Sequence, residues 1–296
     1  MPDTSTIRLA RARESLEGLS VGDAFGELHG YRHIPLIKGK WWFTDDTNMA
    51  LSIYDILREC GEIDQTKLAG SFAEHYESMR GYGPGMHKLL RQLKAGYRWH
   101  DVSRQLFHGS GSFGNGSAMR VAPVGAYFAD DLDQVVDQAR KSAEVTHAHS
   151  EGAAGAIAVA VASAIASNLG GHEPPSRPAF IEAVLPFVPE SEVKEGLEKA
   201  CRLASGTDVR AAVGALGNGS YVTCQDTVPF VLWCAGEALY DYEEALWLTA
   251  SGGGDRDTTC AMVGGIVVMY TGIESIPQVW RDRREPLPEW ALGTPA

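Results

Sequence analysis

Two short stretches of this chain are crowded with oxygen donors, and both stand at the start of an apolar helical pattern. The first is Thr44-Asp45-Asp46-Thr47-Asn48, ahead of Met49, Ile53, Ile56 and Leu57. The second is Ser251-Gly252-Gly253-Gly254-Asp255-Arg256-Asp257-Thr258-Thr259, a glycine-rich turn ahead of the apolar run from Ala261 to Tyr270. Inside a helix, Asp255 and Asp257 would point to different faces. In a non-helical start and first turn they converge as a ligand pair. Either stretch alone reads as an N-cap, because Asp, Ser and Thr oxygens satisfy the free N–H groups of a helix start. If the two starts meet, Asp45, Asp46, Asp255 and Asp257 share one partly buried space, where repulsion raises their pKa values or demands cations. Carboxylates and threonine hydroxyls without a sulfur ligand suit Mg²⁺ or Mn²⁺ rather than zinc. Thr44 and Thr258 are the natural hydroxyl ligands, while Thr47 and Thr259 serve their own helix turns.

Three further groups fit around such a centre. The segment Gly109-Ser110-Gly111-Ser112-Phe113-Gly114-Asn115-Gly116-Ser117 can turn several backbone N–H groups toward a phosphate or diphosphate. A helix start expected over Ala118-Met119-Arg120-Val121-Ala122 would add a favourable dipole. The segment matches neither GxxxxGK[ST] nor a strand-linked GxGxxG, so a plain connector is the competing reading. In Thr146-His147-Ala148-His149-Ser150, histidines between two helices are surface or cap features, or contacts to a sugar or phosphate; we assign the second role to His147. Asp23 and Glu27 stand in one glycine-containing segment, each a cap, an acid or base, or a further ligand. Trp41, Trp42, Tyr82, His87 and Phe113 are either packing or the rim of the site.

Helices must position all of these. Leu9, Ala12, Leu16 and Leu19 predict a helix over Arg8 to Leu19 that ends in a tight polar turn, Ser20 to Glu27. A second helix runs from Asp46 to about Gly61. Others are predicted over Gln65 to Met79, Gly85 to Ala95, Asp133 to Val145, Ser150 to Asn168, Phe180 to Phe187, Ser191 to Leu203, Thr227 to Tyr240, Tyr242 to Ala250 and Asp257 to Tyr270. Val and Ile fall inside helical spacing with Ala and Gly, as at Ala153, Ile157, Val161 and Ile165. The pattern predicts an all-α, single-domain, multi-helix protein over residues 1–296, with a core from about 8 to 272 and residues 273–296 as a surface tail.

At 296 residues, 44% hydrophobic and 22% charged, the chain is long enough for a large core. Its formal charge of -12 argues against nonspecific binding to nucleic acid or to an anionic membrane. Five cysteines without a CxxC pair indicate neither a disulfide framework nor a zinc ribbon. Met1 to Thr6 lack a signal-peptide pattern and polar residues or glycine interrupt every long apolar run, so a cytoplasmic location is expected.

The motifs carry a resemblance. Gly22-Asp23-Ala24-Phe25-Gly26, Thr44-Asp45-Asp46-Thr47, Gly114-Asn115-Gly116-Ser117-Ala118-Met119-Arg120, Thr146-His147-Ala148-His149 and Gly253-Gly254-Asp255-Arg256-Asp257-Thr258 occur in the order seen in the ADP-ribosylglycohydrolase family. That family includes the dinitrogenase-reductase-activating glycohydrolases. The resemblance implies a compact all-helical fold with two Mg²⁺ or Mn²⁺ ions between the acidic helix starts and an ADP-ribose cleft above them. It implies Thr44, Asp45, Asp46, Asp255, Asp257 and Thr258 as metal ligands. Gly114, Asn115, Gly116, Ser117, Met119 and His147 become contacts to the ADP-ribosyl group, joined by Ser112 from the same glycine-rich segment. It also implies Glu27 as the catalytic acid or base, although many relatives place an acidic residue further on, about where His29 and Gly30 stand here.

The expected activity is metal-dependent hydrolysis of the glycosidic bond between ADP-ribose and a protein side chain or small molecule, by a monomer. The alternative is a non-catalytic ADP-ribose-binding or crystallin-like protein with the same metal-bound fold. A terpene-synthase-type lyase is disfavoured, because Met49 breaks the DDxxD pattern.

Overall fold

Helix α1 spans Thr4–Leu28 and runs straight through the segment expected to be a turn. Gly18, Gly22 and Gly26 are four apart and therefore line one stripe of the helix. A Cβ on Gly22 or Gly26 would fall closer than 3.0 Å to the backbone of Cys260 or of Arg256. These glycines thus form a contact surface rather than a helix stop. Each costs about 1 kcal/mol of helix propensity relative to alanine, offset by the close approach it permits.

The computed structural model describes residues 4–293, and among them no strand forms. After α1 come α2 (Asp45–Cys60), α3 (Gln65–Glu74), α4 (Pro84–Lys94), α5 (Trp99–Gln105), α6 (Ala122–Tyr127), α7 (Leu132–Glu144) and α8 (Ser150–Leu169). Then follow α9 (Arg177–Val184), α10 (Glu192–Arg202), α11 (Val209–Leu216), α12 (Cys224–Glu237), α13 (Tyr242–Ser251), α14 (Arg256–Thr271), α15 (Gln278–Arg283) and α16 (Glu289–Leu292). The all-α expectation holds. Several boundaries differ from those expected: α3 stops at Glu74, α9 and α12 each begin and end three residues earlier, and residues 118–121 precede α6 without joining a helix.

The pairing of α1 with α14 organises the rest. Gly18 faces Gly264, Gly22 faces Cys260 and Gly26 faces Arg256, so the two helices run antiparallel. Ser15 Oγ donates to Gly265 O at 2.9 Å, fastening α1 to α14, and Tyr242 Oη of α13 donates to Gly18 O at 2.6 Å beside the pair. Leu16, Leu19 and Phe25 of α1, Met49, Leu51 and Ile53 of α2, and Val263, Ile266 and Val267 of α14 are all buried around this pair. Each such side chain contributes about 1.5–3 kcal/mol relative to exposure. Helix α8 is long and apolar enough on composition to cross a membrane, but 72% of that stretch is buried against neighbouring helices.

The C-terminal residues are not the expected surface wrap. Trp280, Leu287 and Ala291 are buried. Trp280 stacks on Phe25 with ring centroids 4.4 Å apart, within a cluster that includes Trp41 and Trp247. The prolines break this segment into short pieces without freeing it from the core. Glu285 is buried and pairs with Arg80, and Arg284 pairs with Glu17 at 2.6 Å. Pro295 lies outside the described residues.

Candidate active site

Asp23 sits on α1, one turn before its end and fully buried, where no helix cap is needed. Its carboxylate instead reaches across to the start of α2. Oδ1 accepts from Thr44 N at 3.1 Å and Thr44 Oγ1 at 2.9 Å, and Oδ2 accepts from Thr47 N at 3.0 Å and Thr47 Oγ1 at 2.6 Å. One carboxylate therefore caps α2 from another helix. Thr44 is also the N-cap of α2, accepting from Asp46 N. The backbone N–H of Asp45 donates to Arg80 O at 2.7 Å.

The second start is set by α14. Gly253 and Gly254 both have φ of 68, the left-handed region that favours glycine, and this turn delivers Asp255 as N-cap and Asp257 in the first turn. The two starts touch: Thr258 Oγ1 lies 3.5 Å from Asp46 Oδ2, and Thr44 Oγ1, whose one proton is shared between Asp23 and Asp46, lies 2.9 Å from the same oxygen. Carboxylates separated by about two hundred residues are thus neighbours because α1 binds α2 through Asp23 and α14 through its glycines.

The electrostatics of this cluster are those of crowded anions. Burial, then the nearby Asp257, push Asp23 up, with its hydrogen bonds to Thr47 and Thr44 opposing. Burial, then Asp23 and Asp257, raise Asp45 and Asp46 well above the usual carboxylate range. Asp255 is raised by burial and by Asp257. Among the described residues no three Asp, Glu, His or Cys side chains converge on one point at ligand distance. Threonine hydroxyls and Asn115 instead bond the carboxylates. The donor set nevertheless fits hard divalent cations: it is all oxygen, and Asp46 Oδ1 is a buried acceptor without a partner.

A cleft of about 440 Å³ opens over this centre. Asp45, Asp255, Asp257 and Thr258 line it at one end, with Ser112, Gly114, Asn115, Gly116, Met119 and His147 along the wall. Thr44 and Asp46 lie buried outside that lining. Asn115 joins wall to centre, its Nδ2 donating to Asp255 Oδ2 at 2.7 Å. A Cβ on Gly114 or Gly116 would press on the His147 ring at 3.3 and 3.0 Å, so a side chain at either would need the imidazole or the loop to shift by a few tenths of an ångström. Ser117 departs from its expected role. It is fully buried, its Oγ donates to Gly152 O at 2.8 Å, and it packs against Cys224, so it fastens the loop to α8 instead of lining the cleft.

Of the rim candidates, Phe113 lines the cleft, Trp41 and Tyr82 are buried, Trp42 is exposed and His87 is outside the lining. Gly81, Gly83 and Pro84 from one segment and Tyr221, Val222 and Thr223 from another also line the cleft, although no motif marked them. The latter loop is tied to both partners: Val222 O accepts from Asn115 N at 3.1 Å, and Asn218 O accepts from Asp255 N at 3.2 Å. A signal existed, because Gly217-Asn218-Gly219-Ser220 repeats the tetrapeptide Gly114-Asn115-Gly116-Ser117.

Glu27, on the last turn of α1, does not line the cleft. Burial, then Asp257, raise its pKa, and Arg256 opposes the shift. No acidic side chain stands at the following positions. His29 is buried, stacked on Phe25 at 4.9 Å, with Nδ1 donating to Phe25 O and Nε2 accepting from Ile37 N. A Cβ on Gly30 would lie 2.5 Å from Arg256 Nη1, so the guanidinium fills the space beside this glycine.

Comparison with known proteins agrees with this geometry. The family model for ADP-ribosylglycohydrolase matches residues 4–293. ADP-ribosylhydrolase ARH3 of Mus musculus is 31% identical over 279 residues, covering 82% of this chain and 73% of that protein. The Homo sapiens ADP-ribosylhydrolase ARH3 is 29% identical over 329 residues, covering 94% and 90%. ADP-ribosylarginine hydrolase Tri1 of Pseudomonas putida is 23% identical over 293 residues, covering 93% and 74%. Among solved structures, an ADP-ribosylglycohydrolase-related protein complex shares the fold with a TM-score of 0.61 at 24% identity, covering 93% of this chain and 92% of that one. With the model spanning every described residue, the chain belongs to the ADP-ribosylglycohydrolase family, a family of hydrolases.

Proposed function

We propose that the protein hydrolyses the glycosidic bond between ADP-ribose and an acceptor, with divalent cations at the acidic centre: ADP-ribosyl-X and water give ADP-ribose and HX. The observation that carries this reading is the meeting, in one cleft, of two acidic helix starts with a glycine loop and a buried histidine. Thr44, Asp45, Asp46, Asp255, Asp257 and Thr258 would hold two Mg²⁺ or Mn²⁺ ions, with Asp23 fixing Thr44 from behind. Bound there, the ions would supply Lewis-acid activation and compensate the carboxylate charge.

The chain's own residues do the rest. The Gly114 to Gly116 backbone and His147 grip the diphosphate, so binding energy from the unreactive half of the substrate holds the anomeric carbon in place. Asn115, bonded to Asp255, keeps that grip in register with the acidic centre. Glu27, with its pKa raised by its surroundings, moves the proton: it takes one from the attacking water or gives one to the leaving group.

A second reading, an ADP-ribose reader without turnover, is favoured by one observation: Glu27 stands outside the cleft lining and Gly30 offers no carboxylate. One experiment separates the two. Purified protein with Mg²⁺ is incubated with ADP-ribosylated arginine, serine and small-molecule conjugates, and free ADP-ribose is followed. Release from any member supports hydrolysis. Binding of ADP-ribose without release from any of them contradicts it.

A further inference from the structure

Arg120 is fully buried, yet no carboxylate pairs with it among the described residues. Its guanidinium lies over the Phe72 ring at 4.6 Å, with Nη1 3.5 Å from Met49 Sδ and Nη2 donating to Ser142 O at 2.9 Å. Burying a cation without a counter-ion is costly, so its remaining contact matters. That contact is Thr146: Nη2 donates to Thr146 Oγ1 at 2.8 Å, and Thr146 Oγ1 lies 2.7 Å from His147 Nδ1.

The direction of the chain follows from donor counting. A guanidinium only donates, so Thr146 Oγ1 must accept from it. Thr146 is fully buried, and its hydroxyl has one proton to place. Among the described residues the acceptor that faces it is His147 Nδ1, at 2.7 Å; were Nδ1 protonated instead, the hydroxyl proton would be buried without a partner, costing about 1–3 kcal/mol. Nδ1 therefore accepts, and the ring proton resides on Nε2, the edge that lies against Gly114 and Gly116 at the cleft wall. Burial and the nearby Arg120 charge also hold the imidazole neutral, pushing its pKa down to about 3.

We propose that Arg120 and Thr146 are positioning residues that lock His147 as a neutral Nε2–H donor facing the cleft, where it meets an anionic oxygen of the substrate. This rests on the reading of the cleft as an ADP-ribose site.

The test uses full-length protein with ¹⁵N-labelled histidine. Long-range ¹H–¹⁵N spectra without ligand read the His147 tautomer between pH 5 and 8, and calorimetry measures ADP-ribose affinity. The wild type is expected to show Nε2–H throughout. Thr146→Val should give a mixed or Nδ1–H ring and weaken ADP-ribose binding about tenfold, matching the loss of one hydrogen bond to a charged group. Thr146→Ser should restore both. An Nδ1–H ring in the wild type, or a tautomer unchanged in Thr146→Val, overturns the proposal. Because the tautomer is read without ligand, failure of the wild type to bind ADP-ribose would count against the functional reading and be told apart from failure of the relay.

Discussion

At Asp46, one carboxylate oxygen lies within hydrogen-bond distance of the hydroxyls of Thr44 and Thr258, and the other has no partner although it is buried. An orphaned acceptor among crowded carboxylates is where a divalent cation has most to offer. Asp46→Asn should therefore abolish the Mg²⁺-dependent rise in thermal stability and reduce kcat/KM by about 100-fold or more. Glu27→Gln should lower turnover by about 10²–10⁴-fold, the size of a lost general acid or base, while leaving ADP-ribose affinity within about twofold. Steady-state kinetics beside calorimetry separates these effects; equal loss of affinity and rate in Glu27→Gln would place that residue in binding instead. The acidic residues were legible in the sequence because each set is contiguous. Asp23 stood out as a candidate, but its role in holding Thr44 and Thr47 was not legible, since these partners lie 21 and 24 residues away at the start of another helix. The resemblance implied Ser117 as a contact along with the rest of its loop, but a shared motif does not say which of its members turns inward, and here the hydroxyl turns to Gly152.

The element that decides the architecture is α1. Its glycines sit at every fourth position, a spacing that marks a helical stripe; glycine's usual meaning as a breaker suggested a turn instead. Gly22→Ala tests which meaning governs. On propensity alone alanine would stabilise a helix by about 1 kcal/mol. Packed as it is against Cys260, the new Cβ must push α14 away, and we expect a net loss of about 1–3 kcal/mol by urea denaturation. Because α14 carries Asp255 and Asp257, the same variant should bind Mg²⁺ more weakly. A more stable Gly22→Ala protein would refute the close contact. The buried C-terminal segment also escaped the sequence reading: its prolines correctly marked breaks, but only the fold shows Trp280 lodged on Phe25 and Glu285 reaching Arg80.

For the molecule as a whole, the carboxylate cluster links stability to pH and to metal. Asp23, Asp45, Asp46 and Asp255 all have raised pKa values, so the ion-free folded state holds protons more tightly than the unfolded chain. Their contribution is complete below the ordinary carboxylate pKa of about 4 and is lost as pH rises through the raised values. Asp130 has the opposite sign: Arg8 and Arg11 hold its pKa down to about 2, so its contribution fades only in acid, outside this window. The ion-free protein should thus melt at lower temperature at pH 8 than at pH 5. Mg²⁺ at a hundredfold excess over Kd should add about 2.7 kcal/mol, on the order of 5 °C for a chain of this size, with the larger gain at pH 8. A gain independent of pH would mean that the ion binds elsewhere. The central claim is that the two acidic helix starts form one metal centre, and it is tested most directly by Mn²⁺ titration of the wild type, Asp46→Asn and Asp255→Asn, with bound ion counted by electron paramagnetic resonance. The account predicts two ions per wild-type chain and impaired uptake from either substitution, although the two residues come from opposite ends of the sequence. Uptake unchanged in both variants, or no uptake by the wild type, would contradict it.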